Sequence, residues 1–236
     1  MYGSWVLLVL ILVSSLPVVF VYIWFRAAKY QYSVTRFLLA LLAGAAAFFP
    51  ALILQEYLTF FSFTQGRAAL FFEFFIRVAL SEEISRLLVL FIFFWINGLV
   101  NRNNVITSEQ SEDQSLAINN VKRATATGLV AGLGFSILES ARYAASGMEI
   151  GTVLLRIFTA ALHGACGSRI GAAAVMFRTN PVQAFLRIFT ATAIHGVYNF
   201  MIIRSGFPLF IAILISLSAL ATAILAIKGL DQKYSS

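Results

Sequence analysis

Apolar residues run through this chain in long blocks, and seven of these blocks approach or exceed the length of a membrane crossing. They are Ser4 to Phe25, Phe37 to Tyr57, Leu70 to Val100, Ala124 to Ala145, Gly151 to Phe177, Val182 to Ile203 and Phe207 to Ile227. A helix needs roughly 20 apolar residues to cross a hydrocarbon core about 30 Å thick. The pattern therefore predicts an all-α, polytopic transmembrane bundle of about seven spanning helices. The third block is too long for one perpendicular span. Its opening, Leu70-Phe71-Phe72-Glu73-Phe74-Phe75, reads as an aromatic interfacial segment, with Glu73 and Arg77 one helical turn apart as a self-neutralising pair. The one polar insertion, 101–120, carries Glu109, Glu112 and Asp113 and is expected to be a flexible cytoplasmic loop. With no repeat and no soluble second domain in the pattern, residues 1–236 read as a single integral membrane domain.

The basic residues orient it. With the N-terminus outside, the inner loops and tail hold Arg26, Lys29, Arg36, Arg102, Lys122, Arg123, Arg178, Lys228 and Lys233, while the outer loops hold only Arg67 and Arg204. Nine against two is a strong positive-inside bias, and it puts the C-terminus in the cytoplasm. The first block lacks a basic lead-in and is followed by positive charge, so it is expected to be a retained span rather than a removable signal.

Composition agrees. Of the 236 residues, 60% are hydrophobic and 11% charged, against about half and a quarter in a soluble domain. The net charge of +7 is explained mostly by the inner loops and gives no reason to expect a nucleic-acid partner; the expected surroundings are the lipid bilayer. The single cysteine, Cys166, excludes an intrachain disulfide and reads as a packed core thiol.

Against this background the ionisable residues inside the blocks stand out, because each costs about 2.5 to 3.5 kcal/mol on insertion scales and is a functional hypothesis by default. Glu82 and Glu83 lie in Ser81-Glu82-Glu83-Ile84-Ser85-Arg86, and Glu139 closes Phe135-Ser136-Ile137-Leu138-Glu139. His163 follows Arg156 by two helical turns, and Asn199 follows His195 by one. Counted at ~1.5 Å per residue, Glu82, Glu139, His163 and His195 fall roughly 8 to 18 Å below the outer surface, in one slab. Gly128 and Gly132 form one GxxxG, Gly167 and Gly171 another, which predicts close helix packing around that slab.

Carboxylates crowded in a low dielectric resist joint ionisation, so one is poised as a general base or acid near neutral pH. Glu82 and Glu83, about 100° apart on a helix, are not expected to face one point; one would face the cavity and the other pair with Arg86. The histidines and the Asn199 amide can polarise a carbonyl or stabilise an oxyanion. Water, a carboxylate base and such donors amount to amide-bond hydrolysis. Two histidines and a carboxylate are also a zinc set, here Glu139, His163 and His195, so metal-dependent and metal-free hydrolysis both stay open.

In order along the chain these segments resemble the PrsW family of intramembrane proteases, which is related to the type II CAAX prenyl endopeptidases. The resemblance rests on Glu82-Glu83-Ile84-Ser85-Arg86, on Gly132-Leu133-Gly134-Phe135 leading to Glu139, on Arg156 with His163 and Gly171, and on His195 with Asn199. Arg86 stands where the family usually has lysine, and Ser140 where asparagine often follows the glutamate. The resemblance implies a multi-pass endopeptidase of the bacterial plasma membrane that cleaves a membrane-anchored protein. Glu82, Glu83, Glu139, His163, His195 and Asn199 would be catalytic, Arg86 and Arg156 supporting, and zinc is an open cofactor. Two other classes remain: a non-catalytic membrane scaffold subunit, and a proton-coupled transporter, for which the expected repeated halves are missing.

Overall fold

The computed structural model describes residues 4–30, 32–59, 66–99, 110–146, 150–203 and 206–232. Among them there is no strand. The helices are α1 (Ser4–Ala27), α2 (Val34–Leu58), α3 (Arg67–Phe71), which runs through a π-helical segment (Phe72–Leu80) into α4 (Ser81–Ile96), then α5 (Gln110–Ala145), α6 (Ile150–Met176), α7 (Pro181–Ile202) and α8 (Phe207–Gln232). With α3, the π segment and α4 taken as one rod, seven rods follow the seven apolar blocks. Three stretches, Val34–Leu58, Asn119–Tyr143 and Phe207–Lys228, are long and apolar enough to cross a membrane by themselves.

The expectation of a loop over 101–120 is corrected in part. Residues 101–109 lie outside the described residues, but α5 already begins at Gln110. The polar stretch from Gln110 onward is therefore helix rather than loop.

The molecule is apolar outside and charged within. Leu42, Ile53 and Phe189 are 65%, 70% and 62% exposed, whereas Glu83, Arg86 and His163 are each 0% exposed. Water would reward the opposite arrangement, and lipid accepts this one. The chain is an integral membrane protein.

Helix α5 packs between α2 and α6, with α1 also against it. The approach of α5 to α6 is made by the two GxxxG pairs facing each other. A Cβ on Gly128 would lie 2.1 Å from the carbonyl oxygen of Gly167, and one on Gly132 would lie 1.9 Å from that of His163. Only hydrogen at these positions lets the backbones meet, and the contact fixes the height of His163 against α5. On the far side, Gly196 leaves room for the Phe75 ring, where a Cβ would come within 2.4 Å. That contact holds the π segment against α7, beside His195.

Where the π segment gives way to α4, Ser81 Oγ donates to the carbonyls of Arg77 (2.6 Å) and Val78 (2.9 Å). It thereby occupies acceptors near the change of winding. The next two residues are Glu82 and Glu83.

Candidate active site

Glu82, Glu83 and Arg86 from α4, Glu139 from α5, His163 and Arg156 from α6 and His195 from α7 are all buried and meet at one place. The imidazoles of His163 and His195 stand edge to face, 4.9 Å between centroids at 88°.

Each histidine is held from behind by a carboxylate. His195 donates from Nδ1 to Glu83 Oε1 (2.8 Å), and His163 donates from Nε2 to Glu139 Oε2 (2.9 Å). An ionised carboxylate only accepts, so these bonds set both tautomers. The remaining nitrogens, Nε2 of His195 and Nδ1 of His163, then carry lone pairs, and they lie 3.7 Å and 4.0 Å from Glu82 Oε2. The other oxygen of Glu82 accepts from Gln55 Nε2 (3.0 Å).

Glu82 lines a cavity, while Glu83 pairs with Arg86, and both also reach His195. The 100° between them lets them address different nitrogens of the same imidazole.

Two arginines balance the charge. Arg86 Nη2 reaches Glu83 Oε1 (2.8 Å) and Glu82 Oε2 (3.5 Å) and donates to His163 Nδ1 (3.1 Å), with its guanidinium over the Phe135 ring. Arg156 pairs with Glu139 and donates from Nε to Ser140 Oγ (3.0 Å). Ser140, at the position noted as a departure, thus anchors the arginine. Two buried atoms of the cluster, Glu83 Oε2 and Arg86 Nε, have no partner among the described residues.

The carboxylate that joins the two histidines is Glu82, not Glu139. Among the described residues Glu82, His163 and His195 form the group whose ligand atoms lie within 4.8 Å of one another. Glu139 is drawn to the far edge of His163 by Arg156 and does not complete that triangle. The set fits a divalent metal: two imidazole nitrogens and a carboxylate oxygen are the donors zinc takes, and both imidazoles have the carboxylate backing that metal-bound histidines usually have.

A model of the PrsW family, described as PrsW family intramembrane metalloprotease, matches residues 33–226. The chain belongs to the PrsW family. It is therefore a membrane peptidase, and the scaffold and transporter readings give way to that membership. No curated protein and no solved structure matches it.

Two cavities reach the cluster of this PrsW protein from either side of the π segment. One, about 260 Å³, is lined by polar groups that include Gln55, Arg77, Glu82, Glu139 and Arg142. The other, about 280 Å³, is mostly apolar, with Phe74, Leu155 and Ile202 in its wall and Glu139, Arg156 and Asn199 at its polar end. Glu139 and Tyr143 line both. Asn199 makes no hydrogen bond to the cluster and instead faces this second space.

The other singled-out residues lie apart. Cys166 donates to the Ala191 carbonyl (3.5 Å) and packs in the core. Glu73 pairs with Arg77 as its spacing predicts. Sequence reasoning missed Gln55, a neutral side chain near the end of α2 beside the exposed Glu56. It also missed Tyr143, whose ring lies against Arg156. Nothing in the spacing of either residue points to the site.

Proposed function

We propose that this protein is an intramembrane endopeptidase of seven spans, N-terminus outside and C-terminus in the cytoplasm, that cleaves a membrane-anchored protein at the Glu82–His163–His195 cluster. The observation that carries the reading is the grouping of one ligand atom each from Glu82, His163 and His195 within 4.8 Å of one another. Glu82, His163 and His195 would hold the metal, with zinc favoured by the donor set. Such an ion polarises a carbonyl and acidifies bound water.

The chain's own groups divide the remaining work. Glu83 and Glu139 orient the imidazoles, and Arg86 holds Glu82 and Glu83 in place. The polar cavity leads solvent to Glu82 and Glu139. The apolar cavity accepts a substrate side chain and presents Arg156 and Asn199 as donors to the peptide carbonyl. Glu139, on the wall of both cavities, would take the proton from water as its oxygen attacks the carbonyl carbon. It returns that proton to the amide nitrogen as the C–N bond breaks. Glu83 lines neither cavity and is a positioning residue.

The test is cleavage of single-pass membrane proteins by the purified full chain in detergent. Wild type is expected to cut while His195→Ala and Glu139→Gln do not, at equal expression. Cleavage by both variants at the wild-type rate would remove this assignment.

A further inference from the structure

At the end of α1 the chain turns through an ordered corner that the peptidase reading leaves unused. Lys29 N donates to the Arg26 carbonyl (3.2 Å) and Tyr30 N to that of Phe25 (2.9 Å), the two bonds of a Schellman cap. Lys29 takes the left-handed position of that cap, at φ 54°. Glycine is the usual residue there, and a lysine costs about 1 kcal/mol or more of backbone strain.

The corner borders an open surface depression of about 650 Å³ lined by Arg26, Lys29, Tyr30, Tyr32, Ser33 and Arg36. A second recess, sharing Tyr32 and Arg36, continues it to Leu39 and Arg123. No carboxylate among the described residues pairs with Arg26, Lys29, Arg36 or Arg123. Positive-inside bias accounts for basic residues at a membrane face, but not for their gathering around one concavity, where they repel each other. The floor is rigid: Tyr30 stacks on Tyr32 at 6.1 Å, Lys122 lies over the Tyr30 ring, and Tyr32 Oη bonds Thr127 Oγ1 at 2.7 Å. The Tyr30 hydroxyl is buried and has no partner among the described residues. Burial raises its pKa well above the ordinary phenol range, so it stays a donor. Leu38, Leu39 and Leu42 lie directly above on α2, 53%, 43% and 65% exposed.

We infer that this corner binds the phosphate headgroup of an anionic phospholipid, with Arg26, Lys29 and Arg36 around the phosphate and an acyl chain along Leu39 and Leu42. Basic pockets between helices at the membrane face are where such headgroups bind. The apolar strip above the cations favours a lipid over a free anion. The inference is independent of the peptidase chemistry, because none of these residues lies in the glutamate–histidine cluster.

The experiment measures binding to the full chain in neutral detergent, using dioctanoyl phosphatidylglycerol, dioctanoyl phosphatidylcholine and inorganic phosphate. Phosphatidylglycerol is expected to bind at least about tenfold more tightly than either of the others. Lys29→Gln/Arg36→Gln should weaken it by about tenfold or more, and the charge-matched Arg178→Gln/Lys228→Gln by less than about twofold. Lys29→Gly relieves the left-handed strain, so thermal stability should hold or rise while affinity falls several-fold. Equal losses in the two double variants, phosphate binding as tightly as the lipid, or displacement by a glutamate-rich peptide at equal concentration would each overturn the inference.

Discussion

His195 is fixed by Glu83. The 2.8 Å bond from Nδ1 to the carboxylate leaves Nε2 as the lone-pair nitrogen and points it at Glu82. One residue of offset on α4 thus divides two adjacent glutamates between the back and the front of a single ring.

Replacing Glu83 by Gln should keep the shape and lose the charge that selects this tautomer. The expected result is a 10- to 100-fold fall in metal affinity and in kcat/KM, the usual effect of losing the group behind a ligand. Metal content by elemental analysis alongside kinetics checks it, and unchanged metal affinity would argue against the positioning role.

Metal removal follows from the same geometry. A strong chelator should abolish cleavage, and zinc should restore it, with about one equivalent bound per chain. His163→Ala and His195→Ala should each lose that equivalent, whereas Asn199→Ala should retain it and lose activity only.

Arg156 and Glu139 form a buried pair, 7% and 8% exposed. Arg156→Met leaves the carboxylate uncompensated and should cost about 3–5 kcal/mol, read as a lowered midpoint of thermal unfolding. Arg156→Met with Glu139→Gln should recover most of that stability and none of the activity. Recovery of both would mean that Glu139 is structural.

The α5–α6 contact makes a contrast between neighbouring glycines. A Cβ on Gly132 meets the His163 carbonyl at 1.9 Å, so Gly132→Ala should separate the helices, destabilise by about 1–3 kcal/mol and reduce activity. A Cβ on Gly164 meets only the Leu133 and Leu129 side chains, at 3.1 and 3.3 Å, and these can shift. Gly164→Ala should be the milder change in both thermal unfolding and cleavage.

Cys166 tests the packing reading. Its thiol is enclosed and bonded to Ala191, so Cys166→Ala should leave cleavage within about twofold, and thiol reagents should not inhibit the folded protein.

The sequence by itself determined the solvent and the inventory. Long apolar blocks admit only helices in lipid, and a charge inside such a block is too costly to keep without a role, so Glu82, Glu83, Arg86, Glu139, Arg156, His163 and His195 were legible as a set. The facing glycines were legible too, as a sign of close packing, though not as the contact that places His163.

Tertiary structure decided the pairing. Helical periodicity reports a residue's angle around its own axis but not its height against another helix, and that height came from the Gly132–His163 and Gly196–Phe75 contacts and from the π winding ahead of Glu82. Only with those heights set does Arg156 hold Glu139 behind His163, leaving Glu82 as the carboxylate that faces both imidazoles. Hydrogen-bond reach changes over a few tenths of an ångström, a distance far finer than anything spacing along a chain encodes.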